Sequence, residues 1–107
     1  MYTEFNGRQW SSEDNYLKYK KMYALNLKSS LALEDYADCN NSDWIYKDIA
    51  FQRLKEYRQN KDKMTEEELL STTAEIVENF EKLFEKIGKE NFVFHDDGDV
   101  EYIWPEI

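Results

Sequence analysis

Cysteine, histidine and proline each occur once among the 107 residues, and glycine occurs three times. One cysteine excludes an internal disulfide framework, and one histidine excludes every metal site that needs several His or Cys ligands. The low glycine and proline content, with 16% aromatic residues, fits disordered and fibrous classes poorly. No apolar run approaches the roughly 18 residues of a membrane span, and no signal-peptide pattern opens the chain. We expect one folded cytoplasmic domain over residues 1–107, without metal, cofactor or membrane contact.

The charge is distributed unevenly along the chain. Residues 1–63 carry 10 acidic and 11 basic side chains, whereas residues 64–107 carry 13 acidic and 3 basic ones, so the two parts have net charges of +1 and −10 and sum to −9. A local surplus of this kind creates a directed negative potential that speeds encounter with a positively charged partner. The same potential repels nucleic acid, so we expect no direct DNA or RNA binding.

Helices are predicted after a short N-terminal hairpin. Asn6-Gly7 lies between alternating runs at residues 2–5 and 8–10, which is a strong hairpin signal. Ser11 or Ser12 offers an N-cap, and the tyrosine spacing predicts a first helix from about residue 13 to about residue 28. Residues 31–37 are expected to form either a short second helix or a continuation of the first helix. The polar run at 39–42 predicts a turn. The next helix is expected from 43 to about 60, with Tyr46 and Ile49 on its apolar side.

The C-terminal part has the clearest boundaries. Thr65, with Glu68 three residues later, predicts a capping box, and an apolar seam then predicts a long helix that ends at Gly88. Residues 92–95 and 100–104 flank Asp96-Asp97-Gly98-Asp99, where Asp-Gly would supply the positive φ angles of a tight hairpin turn. We predict a mainly helical α+β fold: three principal helices, a C-terminal β-hairpin and a short N-terminal hairpin whose strands could join the same sheet.

The acidic side chains of the last helix and the hairpin are the first candidate site. If the apolar seam faces the core, Glu75, Glu78 and Glu85 point to solvent along a rod that rises about 1.5 Å per residue, which imitates a phosphate strand. The plainer interpretation is a solvated helix face, because Glu78 with Lys82 and Glu85 with Lys89 have the i,i+4 order that stabilises helices. The hairpin adds further candidate residues for partner binding: Asp96, Asp97, Asp99, Glu101, Tyr102 and Trp104.

Three other patterns have stronger structural than functional explanations. The Asp-rich turn holds oxygen ligands for Ca²⁺, but its glycine comes third in a hairpin rather than sixth in a 12-residue calcium loop. Cys39 with His95 would need an orienting group and oxyanion donors to form a catalytic dyad, and the sequence marks neither. The basic stretch from Lys18 to Tyr23 could contact phosphates and bases, but its tyrosines fall on the helical core stripe. Pairing of this stretch with the acidic half across a homodimer stays open.

Aromatic residues form a further candidate set for partner binding. Trp and Tyr dominate binding hot spots, whereas a domain this small also needs aromatic side chains for its core. The members of this set are Trp10, Trp44, Phe51, Tyr102 and Trp104.

Acidic, aromatic-rich small domains without a catalytic constellation resemble, in physical type, inhibitors that cover a basic surface of another protein. Anti-CRISPR proteins of phages and immunity proteins of nuclease toxins belong to this type. The resemblance implies a non-enzymatic inhibitor that occludes the nucleic-acid-binding surface of a basic partner enzyme, with carboxylates in place of phosphates and Trp104, Tyr102 or Trp44 as anchors. The alternative is a phage or mobile-element adaptor that binds through apolar helix faces and is acidic only for solubility.

Overall fold

A computed structural model describes residues 4–5, 8–10 and 12–104 of the chain. The N-terminal hairpin is confirmed: β1 (Glu4–Phe5) pairs antiparallel with β2 (Arg8–Gln9). Its predicted Asn6-Gly7 turn lies outside the described residues. β1 and β2 form a two-stranded sheet of their own, so they do not join the C-terminal hairpin.

Helix α1 (Glu13–Asn40) is longer than the predicted first helix. It begins at the N-cap Ser12, whose hydroxyl accepts a hydrogen bond from the Asn15 backbone N–H at 3.4 Å. The prediction of an end near residue 28 is wrong, because Ser30 is satisfied within the helix by donating its hydroxyl to the Leu27 carbonyl oxygen at 3.0 Å. The segment 31–37 is therefore a continuation, and the chain turns at Asn41 with φ of 54°.

The predicted helix from 43 to 60 is divided into two elements. A short 3-10 helix (Asp43–Lys47) precedes α2 (Ile49–Asn60). Asp48 causes the break, because its carboxylate caps α2 by accepting the Ala50 N–H at 3.1 Å. The reorientation leaves Tyr46 and Ile49 exposed, so their predicted place on the buried side is wrong. A second 3-10 turn (Lys61–Lys63) leads to α3 (Glu66–Ile87).

The capping box of α3 is confirmed. The Thr65 hydroxyl accepts the Glu68 N–H, and the Glu68 carboxylate accepts the Thr65 N–H, both at 3.2 Å. α1 and α3 lie side by side and run in the same direction. Two contacts show this: the Asn15 amide reaches the Glu66 carboxylate, and the Asn26 amide reaches the Thr73 carbonyl oxygen, each at 3.5 Å.

The C-terminal hairpin consists of β3 (Phe92–Phe94) and β4 (Val100–Tyr102), which are antiparallel. Its turn differs from the expected one, because among the turn residues only Gly98 has a positive φ, at 93°. The turn therefore has the form of a three-residue hairpin loop that ends in glycine. A Cβ at Gly98 would lie 2.8 Å from the Leu25 side chain, so glycine also allows the turn to pack against α1.

The core lies where α1, α2, α3 and the C-terminal hairpin meet. Aromatic side chains connect its parts: Phe51 of α2 contacts Phe80 of α3, and Phe84 contacts Phe92 of β3, both edge to face. The predicted mainly helical α+β fold is thus confirmed, with a core whose buried members include Tyr19, Ala32, Leu33, Ile45, Leu54, Leu69, Ile76, Phe80, Leu83, Phe84, Phe92 and Val100.

Candidate functional site: the acidic face of the last helix

The outer side of α3 carries the three predicted glutamates. Glu75, Glu78 and Glu85 are exposed, whereas Ile76 and Phe80 between them are buried. At about 100° of rotation per residue, the three glutamates lie within an arc of roughly 80° opposite the buried stripe. We call these three residues the acidic helix face. They extend over about 15 Å of helix axis, since residues 75 and 85 are ten positions apart.

Two of the three glutamates have basic neighbours. The Arg53 guanidinium of α2 lies 3.2 Å from the Glu75 carboxylate, and the Lys89 ammonium lies 4.0 Å from that of Glu85. Within the part of the chain that the structure describes, no ion pair involves Glu78. All these groups are about half exposed or more, and ion pairs in such positions contribute only about 0–1 kcal/mol. Cationic side chains of a partner protein can therefore replace Arg53 and Lys89 beside these glutamates.

The acids of the C-terminal hairpin occupy different environments. Asp96 and Asp97 are exposed at the turn, where the Asp97 carboxylate accepts the Asp99 N–H at 3.0 Å. Asp99 lies 3.6 Å from the Lys28 ammonium of α1, and Glu101 lies 3.5 Å from the His95 imidazole. The turn residues therefore project freely, while Asp99 is held toward α1.

Glu81 lies between the acidic helix face and the hairpin turn. It lines a cleft of about 180 Å³ with Phe84 of α3 and with His95 and Asp99 of the hairpin. Its angular position is about 40–60° from Glu78 and Glu85, on the side that faces the turn. The sequence places Glu81 within the acidic helix but gives no reason to single it out, because the hairpin's position against α3 depends on tertiary packing.

The aromatic candidates Tyr102, at the end of β4, and Trp104, two residues beyond it, have different surroundings. Tyr102 packs edge to face against Tyr36 of α1, and its hydroxyl accepts the Asn40 amide at 3.1 Å. Burial, and then the hydrogen bond with Cys39, raise the pKa of the Tyr102 hydroxyl. Trp104 is 57% exposed and contacts the Tyr102 ring edge to face. Of the two, Trp104 is the side chain that is free to contact a partner.

The remaining aromatic candidates have mainly intramolecular partners. Trp10 is buried and stacks on Tyr19, with ring centroids 4.9 Å apart, so both belong to the core. Trp44 is partly exposed, and the Lys86 ammonium lies 4.6 Å from its ring centre. Phe51 of α2 packs edge to face against Phe80 of α3.

Cys39 and His95 lie near opposite ends of the hairpin. Cys39 is close to the end of α1, beside Tyr102, whereas His95 shares a cleft with Leu25. Fourteen residues of helix separate Leu25 from Cys39, which corresponds to about 21 Å. The two side chains therefore do not form a dyad. Among the described residues, no group of three or more His, Cys, Asp or Glu side chains is arranged to hold a metal ion.

A second cleft lies between α1 and α2. Its volume is about 280 Å³, and Tyr23, Asn26, Tyr57 and Arg58 are among its lining residues. The Tyr57 hydroxyl forms a hydrogen bond with the Tyr19 hydroxyl. Burial, with this bond as a further cause, raises the pKa of Tyr57 far above its ordinary value of 10.0. Tyr57 is thus a neutral structural group near pH 7.

Within the described ranges, no helix has both the length and the apolar character needed to cross a membrane. Comparison with known proteins finds no matching family model, no matching curated protein and no matching solved structure. Function must therefore be inferred from the residues and their geometry.

Proposed function

We propose that this protein is a non-enzymatic binding protein that docks the acidic helix face onto a basic surface of a partner protein. The partner we infer is a nucleic-acid-binding enzyme, which the protein inhibits in the cytoplasm by occupying the place of the nucleic acid. The observation that carries the proposal is the exposure of Glu75, Glu78 and Glu85 together on one side of α3, in the part of the chain with a net charge of −10.

The dimensions of the acidic helix face are compatible with phosphate replacement. Its length of about 15 Å equals the rise of roughly four nucleotides in one strand of B-DNA, at about 3.4 Å each. A surface that binds phosphates through Lys and Arg side chains could therefore pair with several carboxylates of α3 at once. Asp96 and Asp97 at the turn, with Glu81 between, would extend the same field.

A complex held together by charge alone would dissociate as the salt concentration rises. A stable complex therefore also needs an apolar anchor. Trp104 supplies one, because more than half of its surface is exposed. Trp44 is a second anchor only if the Lys86 ammonium moves away from its ring. The carboxylates would then mainly set the association rate, and the aromatic contact would mainly set the lifetime of the complex.

The test is a charge reversal of the acidic helix face. Affinity purification on the immobilised protein identifies the partner, and the association rate is then measured for the Glu75→Lys, Glu78→Lys, Glu85→Lys triple variant. We expect a decrease of about tenfold or more at low ionic strength, because steering depends on the local potential. The partner's nucleic-acid binding should recover in parallel.

The matched control reverses three exposed acids at the end of the molecule where α1 and α3 begin: Glu13, Asp14 and Asp62. The change in net charge is the same, so an equal loss of association rate in both variants would refute a localised site. Circular dichroism and thermal unfolding establish that each variant is folded.

The adaptor alternative has its own supporting observation, the exposed leucines Leu17, Leu27 and Leu31 of α1. Binding through that surface would respond weakly to ionic strength, whereas the association rate under the occlusion mechanism should fall steeply between about 10 and 150 mM salt. An association rate insensitive to salt would favour the adaptor.

A further inference from the structure

The side of α1 that faces away from the core carries an apolar stripe. Leu17, Leu27 and Leu31 are 51%, 40% and 48% exposed, and Ala24 between them is also exposed. Their spacings of seven, three and four residues place the four side chains on one face of the helix. We call these four residues the α1 stripe. An exposed stripe of leucines at this spacing is typical of a helix that packs against another helix.

The charges beside the α1 stripe change sign along the helix. After an acidic first turn at Glu13 and Asp14, Lys20 and Lys21 lie in the first half of α1 beside the stripe, and Glu34, Asp35 and Asp38 lie in the last part. The two lysines are exposed, and the three acids of the last part are exposed or half-buried. A helix with this order is complementary to a copy of itself in the antiparallel direction, and repels a parallel copy.

We propose that the α1 stripe is the interface of a homodimer in which α1 of one copy packs antiparallel to α1 of the second copy. The register follows from the charges: the twofold axis passes between positions 27 and 28. Lys20 then faces Glu34 of the second copy, Lys21 faces Asp35, and Ala24 lies opposite Leu31. Leu27 meets its own counterpart at the axis.

Two features of this register are unfavourable: Leu17 lies opposite Asp38 of the second copy, and two lysines approach each other at the axis. Lys28 of each copy would lie close to Lys28 of the other, which by itself is repulsive. Each Lys28, however, already has Asp99 of its own chain at 3.6 Å. The ion pair reduces the repulsion at the axis, and it ties the C-terminal hairpin to the interface.

Two grooves beside the α1 stripe supply the remaining contact area. One, of about 280 Å³, lies on the side of α2 and includes Leu27 and Arg58; the other, of about 320 Å³, lies on the side of the hairpin and includes Leu31 and Trp104. A contact between two helices alone buries less than the roughly 800 Å² per partner of a standard interface, so the walls of both grooves must participate. The same arrangement would bury part of the Trp104 surface, and only the part of the ring that stays exposed would then be free to anchor a basic partner.

Sedimentation equilibrium across a wide concentration range tests the proposal. The wild-type protein should dimerise, and Leu27→Asp should raise the dissociation constant about a hundredfold or more, since it places two carboxylates at the axis. Ile49→Asp is the matched control, because Ile49 is also an exposed apolar residue but lies on α2, away from the stripe. A monomeric wild type, or an equal effect of the two substitutions, would overturn the proposal.

A charge-exchange cycle tests the direction and register of the helices. Lys20→Glu and Glu34→Lys should each weaken the dimer about tenfold, and the double variant should recover most of that loss. Recovery requires that the two positions face each other, which happens only in the antiparallel register. If the double variant is weaker than both single variants, the register is wrong.

Cys39, the protein's one cysteine, gives an independent distance measurement. In the proposed register the two Cys39 residues are displaced by 23 positions along the helices, or about 35 Å. Spin labels attached at Cys39 should therefore report a distance of this order, and a distance below about 20 Å would contradict the antiparallel arrangement. The charge reversal of the acidic helix face on α3 should leave the dimer intact, so the two proposals can fail separately.

Discussion

The hydroxyl groups of Tyr19 and Tyr57 join α1 and α2 inside the core. Both side chains are buried, and the two hydroxyls are hydrogen-bonded to each other. Burial makes ionisation of Tyr57 unfavourable in the folded state, which is why its pKa is raised. In the unfolded chain the same hydroxyl ionises near pH 10.0. Folding stability must therefore depend on pH in the alkaline range.

The sign of this dependence follows from proton binding. Below about pH 10 Tyr57 is protonated in both states, so its contribution to stability is fully present. Above that pH the unfolded state releases the proton first, and stability falls as pH rises toward the folded-state pKa. We expect Tyr57→Phe to remove much of the loss between about pH 10 and 11 in urea unfolding experiments.

The wild type and Tyr57→Phe should show parallel pH profiles between about pH 7 and 9, where tyrosine is neutral. Tyr46→Phe is the comparison, since the Tyr46 hydroxyl donates to the Asp38 carboxylate at 3.1 Å on the surface. Burial is also the first cause that raises the pKa of Tyr46, but this residue is exposed, so its substitution should change the alkaline profile less. If the wild type and Tyr57→Phe lose equal amounts of folding stability at alkaline pH, Tyr57 is not the group responsible for the loss.

Among the elements, α3 has the boundary that is best defined by local chemistry. Its capping box satisfies two backbone N–H groups that the helix cannot bond internally. Thr65→Ala should lower the free energy of unfolding by about 1 kcal/mol, measured by chemical denaturation. Thr65→Ser keeps the hydroxyl and should retain most of the stability. A similar loss in both variants would mean that the side-chain methyl group, rather than the cap, is responsible.

The ends of α1 and α2 show why element boundaries are harder to predict. The capping signals at Ser12 and Thr65 were readable because a cap involves only residues three or four positions apart. Ser29 and Ser30 lie just beyond the predicted end of the first helix, yet both are buried inside α1. Whether such residues end a helix depends on what packs around them, and that is a long-range property.

At the scale of the whole molecule, Trp10 connects the N-terminal hairpin to the helical body. Its side chain is 1% exposed and stacks on the Tyr19 ring. Trp10→Ala should lower the free energy of unfolding by about 3–5 kcal/mol, because it removes a large buried ring and leaves a cavity beside Tyr19. Trp104→Ala is the control, since an exposed ring should contribute much less. Comparable losses would exclude Trp10 as a core residue.

The acidic surface is also a property of the whole molecule. The sequence predicted that Glu75, Glu78 and Glu85 share one exposed side of α3, since helical periodicity alone determines this. The pair of Glu85 with Lys89 was also readable, because the two are four positions apart, but Arg53 beside Glu75 and the link through Glu81 to the hairpin turn could not be predicted. Arg53 is 22 positions before Glu75, and only the packing of α2 against α3 brings the two within 3.2 Å.

The sequence by itself determined the mainly helical class, the caps at Ser12 and Thr65, the hairpin turn position and the uneven distribution of charge, because these depend on neighbouring residues. Tertiary structure decided the length of α1, the burial of Trp10 and the exposure of the leucines on α1. Each of these depends on which surfaces meet after the chain folds back on itself. The choice between solvent and core for an apolar side chain is made by the elements that pack around it, and no local pattern contains that information.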